Sequence, residues 1–162
     1  MPYALLALVL VILDQVVKYL VLTHIPLGGY VPFLPHVVCL TYVQNTGAAF
    51  SMFSQHTWIL AFISLVMSVV LAVALWKNFF THPLGKVTLS LLLAGAVGNL
   101  IDRAMRGFVV DMFQLLFMNF AVFNVADICV VVGGIAAAAY YLLLADKLEH
   151  KEAPHGTADA DR

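Results

Sequence analysis

Two aspartates, Asp111 and Asp127, lie in strongly apolar stretches of the chain. Asp111 stands within Phe-Val-Val-Asp-Met-Phe, and Asp127 within Phe-Asn-Val-Ala-Asp-Ile. A carboxylate in a hydrocarbon environment costs at least about 2.5 kcal/mol, so such a residue is a candidate for function. Two carboxyl groups that share one site do not readily ionise together, so one keeps a proton while the other serves as a base. One protonated and one ionised carboxyl group are what general acid–base hydrolysis requires.

The composition places the chain in a membrane. Of its 162 residues, 63% are hydrophobic and only 10% are charged, whereas a soluble domain carries about 25% charged residues. The net charge of −1 gives no electrostatic basis for binding nucleic acid. Cys39 and Cys129 do not suggest a disulfide framework. Because metal-ligand spacings and a Gly-rich phosphate loop are absent from the sequence, neither a metal nor a cofactor is expected.

Four stretches are long enough to span a bilayer, which takes about 20 mostly apolar residues. They are Tyr3–Leu22, Trp58–Trp76, a stretch from about 84 to 105, and a stretch from about 124 to 145. The first is not a cleavable signal peptide, because it has no basic leading region and is interrupted by Asp14 and Lys18. Residues 1–145 are therefore expected to form a single transmembrane domain, followed by a polar, disordered tail at 146–162.

The distribution of basic residues predicts the orientation. Lysine and arginine residues lie in the connection 77–86 and in the tail after Asp146, whereas the connection 24–57 has none; they are Lys77, Lys86, Lys147, Lys151 and Arg162. The positive-inside rule then places both termini in the cytoplasm. Arg103 and Arg106 fall on the outer side in this arrangement, and these two exceptions require a structural reason.

Two connections lie on the outer side. The first, residues 23–57, is expected to hold one or two short strands around Val37–Val43, a turn at Asn45-Thr46-Gly47 and a short interfacial helix at Ala48–His56. The second is the sixteen-residue apolar segment Phe108–Phe123, between a helix that ends at Gly107 and a helix that begins near Asn124. Non-helical backbone at this depth must be buried in protein or line a cavity.

Because the second connection is short, Asp111 and Asp127 are expected at the same membrane boundary. Simpler explanations exist for both. Asn124 and Asp127 have the spacing of a capping box, although a capped aspartate can also be an oriented base. Asp111 can equally be a buried loop aspartate whose carboxylate is satisfied by backbone amides.

Further polar residues have comparable alternatives. Asp14 and Lys18 form either an internal ion pair or a support for the backbone of the site. Asn45 is either a turn residue or a site residue. Asn99 and Arg103 share a helix face and are expected to point into the bundle, whereas Asp102 and Arg106 are interpreted as a pair at the helix end. Four glycines are expected to permit close helix packing: Gly95, Gly98, Gly133 and Gly134.

Four blocks of the sequence resemble, in order, those of the lipoprotein signal peptidase (signal peptidase II) family. The blocks are Asp14-Gln15-Val16-Val17-Lys18, Asn45-Thr46-Gly47-Ala48-Ala49-Phe50, the segment from Gly95 to Arg103 with Gly107–Asp111, and Phe123-Asn124-Val125-Ala126-Asp127. The resemblance implies an all-α integral membrane fold: a four-transmembrane-helix bundle with a small extracytoplasmic β-cradle and a short interfacial helix.

The resemblance also implies an activity. The implied activity is that of an intramembrane aspartic endopeptidase of the bacterial cytoplasmic (inner) membrane, which would cleave prolipoproteins before a diacylglyceryl-modified cysteine at the extracytoplasmic face. Carried over by motif, the catalytic residues are Asp111 and Asp127, and the supporting residues are Asp14, Lys18, Asn45, Asn99, Arg103 and Asn124. The expected partners are the prolipoprotein and membrane lipid, and a monomer is favoured. The alternative function is a small proton-coupled transporter that uses the intramembrane aspartates.

Overall fold

A bundle of four helices forms the main part of the computed structural model, which describes residues 2–47 and 57–143. The helices are α1 (Pro2–His24), α2 (Thr57–Trp76), α3 (Pro83–Arg106) and α4 (Val125–Leu143). All four are long and apolar enough to cross a membrane. The prediction of four spans is therefore confirmed. The interfacial helix expected at 48–56 and the tail at 146–162 lie outside the described residues.

Helix α3 is the centre of the bundle, because it packs against α1, α2 and α4. Two glycines permit this close approach. A Cβ atom on Gly95 would lie 2.5 Å from the carbonyl oxygen of Ala126, and one on Gly98 would lie 2.7 Å from Oδ2 of Asp14. The same role was expected for Gly134 and is wrong there, since nothing lies within 4 Å of an added Cβ.

The end of α3 directs the chain towards the site. Gly107 adopts a left-handed conformation with φ of 77°, and its N–H donates to the carbonyl oxygen of Arg103 at 3.2 Å. This C-cap confirms the predicted helix end, since glycine adopts such a conformation at little cost. The chain then enters a strand that carries Asp111.

Three antiparallel strands, in the order β1-β2-β3, form a small sheet beside the bundle: β1 (Tyr30–Leu34), β2 (Val38–Asn45) and β3 (Val109–Leu115). Strand β2 confirms the expectation of a strand around Val37–Val43, whereas β1, earlier in the first connection, and β3, within the apolar second connection, were not anticipated. The β2–β3 register places Val43 opposite Asp111 and Asn45 opposite Val109. Asn45 therefore comes close to Asp111 through strand pairing.

The sheet is fixed to the bundle by a small apolar core. Val21 near the end of α1 and Ile25 just after it cluster with Tyr42 of β2 and with Val110 and Met112 of β3. The backbone of Phe123 also pairs with that of Phe113, with N···O distances of 2.8 and 3.1 Å. This pairing returns the chain to β3, so that α4 begins next to Asp111.

Candidate active site

Asp111 lies on β3 and is held by two asparagine side chains. Its Oδ2 accepts a hydrogen bond from Nδ2 of Asn45 at 2.9 Å, and its Oδ1 accepts one from Nδ2 of Asn124 at 2.7 Å. The residue is 1% exposed. Within residues 2–47 and 57–143, its carboxyl group is thus oriented by side-chain amides, and not by the backbone amides that the simpler explanation invoked.

Asp127 lies in the first turn of α4 and is part of a capping box. Oδ1 of Asn124 accepts from the backbone N–H of Asp127 at 2.9 Å, and Oδ2 of Asp127 accepts from the N–H of Asn124 at 3.2 Å. The predicted cap is therefore present. The other carboxylate oxygen, Oδ1, accepts from Nδ2 of Asn99 at 2.8 Å. Each of the two aspartates consequently faces two donors.

Asn45 and Asn124 each serve the local fold and the site together. Oδ1 of Asn45 accepts from the backbone N–H of Gly47 at 2.9 Å, which closes the predicted turn, while its Nδ2 reaches Asp111. Asn124 caps α4 through its oxygen and uses its Nδ2 for Asp111 and for Oδ1 of Asn99, the latter at 3.1 Å. The turn and site interpretations of Asn45 are therefore compatible.

Burial, followed by the nearby negative charge of Asp127, raises the pKa of Asp111 to about 7. The donors on Asn45 and Asn124 and the charge of Lys18 act in the opposite direction. The influence of Asp127 on Asp111 means that the two carboxyl groups are electrostatically coupled. Near neutral pH, both the protonated and the ionised forms of Asp111 are therefore populated.

A buried ion cluster lies behind these two carboxyl groups. Nζ of Lys18 lies 2.9 Å from Oδ2 of Asp14 and 3.1 Å from Oδ2 of Asp102, and all three side chains are at most 1% exposed. Asp102 also pairs with Arg106. The predicted Asp14–Lys18 and Asp102–Arg106 pairs are both present. Asp102 nevertheless does more than pair at the helix end, because it connects α3 to α1.

The carboxylates of this cluster also hold the backbone beside both aspartates. Oδ2 of Asp102 accepts from the N–H of Val110 at 3.0 Å, and Oδ1 of Asp14 accepts from the N–H of Ala126 at 2.9 Å. Val110 and Ala126 immediately precede Asp111 and Asp127 in sequence. Asp14 thus has the supporting role that was one of its two interpretations, and Asp102 has an equivalent role that was missed.

The two arginines on the outer side of the predicted topology both have partners. Arg103 donates from a terminal guanidinium nitrogen, Nη2, to the carbonyl oxygen of Gly47 at 3.2 Å, and Arg106 pairs with Asp102. Among the described residues, Nε of Arg103 is buried without a hydrogen-bond partner. The polar contacts of both residues lie at the site, which explains why α3 carries two basic residues at this end.

A cavity of about 680 Å³ opens onto both aspartates. Its polar lining includes Asn45, Asn99, Arg103, Asp111 and Asp127, and most of its other walls are apolar side chains of α2, α3 and α4, among them Ile63, Met67, Leu71, Leu92, Val130 and Val131. A second cavity, of about 200 Å³, shares Asn45 and Asp111 with the first. Within residues 2–47 and 57–143, no group of three or more His, Cys, Asp or Glu side chains could hold a metal ion.

The fold and the site together define a membrane enzyme with two carboxyl groups in one cavity. The chain matches the model of the signal peptidase (SPase) II family over residues 6–143. It therefore belongs to the signal peptidase II family, and it is a peptidase.

Relatives and solved structures agree with this assignment. A lipoprotein signal peptidase of Enterococcus faecalis is 44% identical over 155 residues, which cover 96% of this chain and 95% of that protein. One of Streptococcus pneumoniae is 46% identical over 136 residues, or 80% of this chain and 85% of the other. A bacterial membrane enzyme solved by the in meso method at 2.3 Å resolution is similar in structure, with a TM-score of 0.82 and 29% identity over 99% of this chain and 94% of that one. The family and fold expected from the four sequence blocks are confirmed.

Proposed function

We propose that this protein is an aspartic endopeptidase that removes the signal peptide of bacterial prolipoproteins immediately before a diacylglyceryl-modified cysteine. Membership of the signal peptidase II family supports signal-peptide cleavage from prolipoproteins, and the transporter alternative has no support. The observation that carries the aspartic mechanism is the placement of Asp111 and Asp127 on one cavity, each carboxyl group held by two donors.

The environments of the two aspartates favour different roles. The carboxylate of Asp127 lies at the N-terminus of α4, where the helix dipole and the cap stabilise negative charge. The carboxyl group of Asp111 is buried, and its pKa lies near 7, so a proton is available there. Asp127 is therefore the base and Asp111 the acid of the pair.

The reaction follows from these roles. Asp127 takes a proton from a water molecule, whose oxygen attacks the scissile carbonyl carbon. The protonated Asp111 donates a hydrogen bond to the carbonyl oxygen, and the developing charge is stabilised there. Collapse of the tetrahedral intermediate breaks the C–N bond, and a carboxyl proton passes to the leaving amine of the cysteine. The enzyme forms no covalent intermediate.

The shape of the larger cavity fits such a substrate. Side chains of α2 and α4, including Ile63, Met67 and Val131, provide an apolar wall for the signal peptide and the acyl chains. Asn45 and Asp111 also line the smaller cavity on the sheet side, which gives water a separate approach. Membrane lipid is accordingly the medium from which the substrate enters.

The orientation in the membrane completes the proposal. Basic residues of the 77–86 connection and of the tail favour cytoplasmic termini, and Arg103 and Arg106 are held by polar contacts at the opposite end. The site then faces the extracytoplasmic side of the bacterial cytoplasmic membrane. Because the contacts to both carboxyl groups described above come from one chain, a monomer suffices.

Product mapping tests this function. The purified protein in detergent micelles is incubated with a prolipoprotein peptide that carries a diacylglyceryl cysteine and with the same peptide lacking the lipid. Mass spectrometry should find one cleavage, on the N-terminal side of the lipidated cysteine, and little cleavage of the unmodified peptide. The Asp111→Asn/Asp127→Asn double variant should release no product. Equal cleavage of both peptides, or cleavage elsewhere, would contradict the proposal.

A further inference from the structure

The ammonium group of Lys18 is completely buried and has three close neighbours. Nζ lies 2.9 Å from Oδ2 of Asp14, 3.1 Å from Oδ2 of Asp102 and 3.1 Å from Oδ1 of Asn99. An ammonium group has three N–H donors and no acceptor. Each of its neighbours must therefore present an acceptor, and the atom of Asn99 that faces Lys18 must be the amide oxygen.

This constraint determines what Asn99 presents to Asp127. With its oxygen turned to Lys18, Nδ2 of Asn99 points at Oδ1 of Asp127, to which it donates at 2.8 Å. Nδ2 of Asn124 donates to the same amide oxygen at 3.1 Å and reinforces the orientation. A flipped amide would place its NH2 donor against the donors of Lys18 and Asn124, and its oxygen against the carboxylate oxygen of Asp127.

Asn99 differs in this respect from the other two asparagines of the site. The amide oxygens of Asn45 and Asn124 are fixed by backbone N–H groups, those of Gly47 and Asp127. The amide oxygen of Asn99 is bound instead by side-chain donors, one of which carries a charge. A substitution at Lys18 can therefore change the orientation of Asn99, whereas side-chain substitution cannot remove the backbone donors.

We propose that Lys18 is a positioning residue for the hydrolytic reaction, because it holds the Asn99 amide with its N–H, and not its oxygen, towards Asp127. A donor at this position favours the ionised carboxylate, which is the form that accepts a proton from water. This inference rests on the proposed function, since it assigns Lys18 a role in keeping Asp127 a base.

Other charged groups near Lys18 must be balanced in any test. Asp14 on α1 and Asp102 on α3 pair with Lys18 directly, and Arg106 pairs with the other oxygen of Asp102. Arg103 follows Asp102 in the sequence. Asp127 on α4 lies beyond Asn99, and Asp111 on β3 lies beyond Asn124. Replacing Lys18 alone leaves Asp14 without its cation. The double variant Lys18→Met/Asp14→Asn removes one positive and one negative charge, and residue 14 keeps an amide oxygen for the N–H of Ala126.

The matched control is Asp14→Asn alone, because it keeps the contact between Lys18 and Asn99. Relative to this control, the double variant should show a roughly 10-fold lower kcat at pH 6, with the acid limb of its kcat profile moved to higher pH by about one unit. The reason is that the freed Asn99 amide can present its oxygen to Asp127, which favours the protonated acid. KM for the diacylated peptide should stay within about two-fold, since Lys18 does not line the substrate cavity.

A kcat profile of the double variant that coincides with that of Asp14→Asn would overturn the inference. The proposed function is judged separately, by cleavage with the unmodified protein and its loss in Asp127→Asn, so the two failures are distinguishable. If the double variant does not fold, NMR of the unmodified protein with ¹⁵N-labelled asparagine decides. The chain has five asparagines, so the Asn99 amide is assignable. Its side-chain protons should shift over the pH range of the acid limb, and an invariant signal would reject the inference.

Discussion

Asn124 contributes both to the stability of α4 and to the geometry of the site, and two substitutions should separate these contributions. Its side chain accepts from the N–H of Asp127 at 2.9 Å and donates to Asp111 at 2.7 Å and to Asn99 at 3.1 Å. Loss of an N-cap costs about 1 kcal/mol, and loss of a hydrogen bond to a carboxylate costs about 2 kcal/mol. Asn124→Ala should therefore lower the free energy of unfolding by about 3 kcal/mol.

Asn124→Ser restores only the first of these contributions. A serine hydroxyl can accept from the N–H of Asp127, so about 1 kcal/mol of stability should return. Serine is too short to donate to Asp111, and it has no second donor for Asn99. The kcat of both variants should therefore remain about 100-fold below that of the unmodified protein.

The assay combines unfolding in mixed micelles with kcat for a fluorogenic diacylated peptide. Gln44→Ala is a suitable control, since Gln44 is an exposed neighbour of Asn45 whose side chain bonds only to the Tyr42 hydroxyl among the contacts of the described residues. The reasoning is refuted if Asn124→Ser recovers full kcat, because the donor to Asp111 would then be unnecessary. Unchanged stability of Asn124→Ala would likewise refute the role of the cap.

Three further results are expected. The pKa of Asp111 is raised in the folded protein, so its protonated form stabilises the native state at low pH, and this stabilisation is lost as the pH rises through about 7. The unfolding free energy should therefore fall by up to about 4 kcal/mol between pH 4 and 8. The Asp111→Asn variant should lack this decline. Gly95→Ala should destabilise the bundle by about 1–3 kcal/mol, because the new Cβ meets Ala126, whereas Gly134→Ala should be neutral or slightly stabilising in the same unfolding assay. Lys18→Met should cost about 3–5 kcal/mol by leaving the buried carboxylate of Asp14 without its cation, and Lys18→Met/Asp14→Asn should recover more than half of that loss. Equal losses would show that charge imbalance is not the cause.

The helices and their ends were predictable because their signals are local. Apolar runs of the required length predicted the four spans, Gly107 predicted the end of α3, and Asn124 with Asp127 predicted the cap of α4. For Asn99, the sequence predicted only that it shares a helix face with Arg103 and points into the bundle, and did not identify Asp127 as its partner. Local spacing identified these elements since each signal lies within a single turn or span.

Features that depend on contacts between distant segments were missed. Asp102 lies four residues before Arg106, so the sequence indicates that pair and hides its contact with Lys18 on another helix. Strand β3 is buried along most of its length and lacks the alternation that marks a half-exposed strand. Its apolar sequence was therefore compatible with irregular backbone as well as with a strand.

The central claim is that Asp111 and Asp127 together hydrolyse the peptide bond. The most direct test is single-turnover cleavage of a diacylated prolipoprotein peptide by Asp111→Asn and by Asp127→Asn, each shown by thermal unfolding in micelles to be folded. Both variants should lose about 10³-fold or more in rate at every pH, because each removes one partner of the acid–base pair. A folded variant of either aspartate that cleaves within about 10-fold of the unmodified protein would contradict the account.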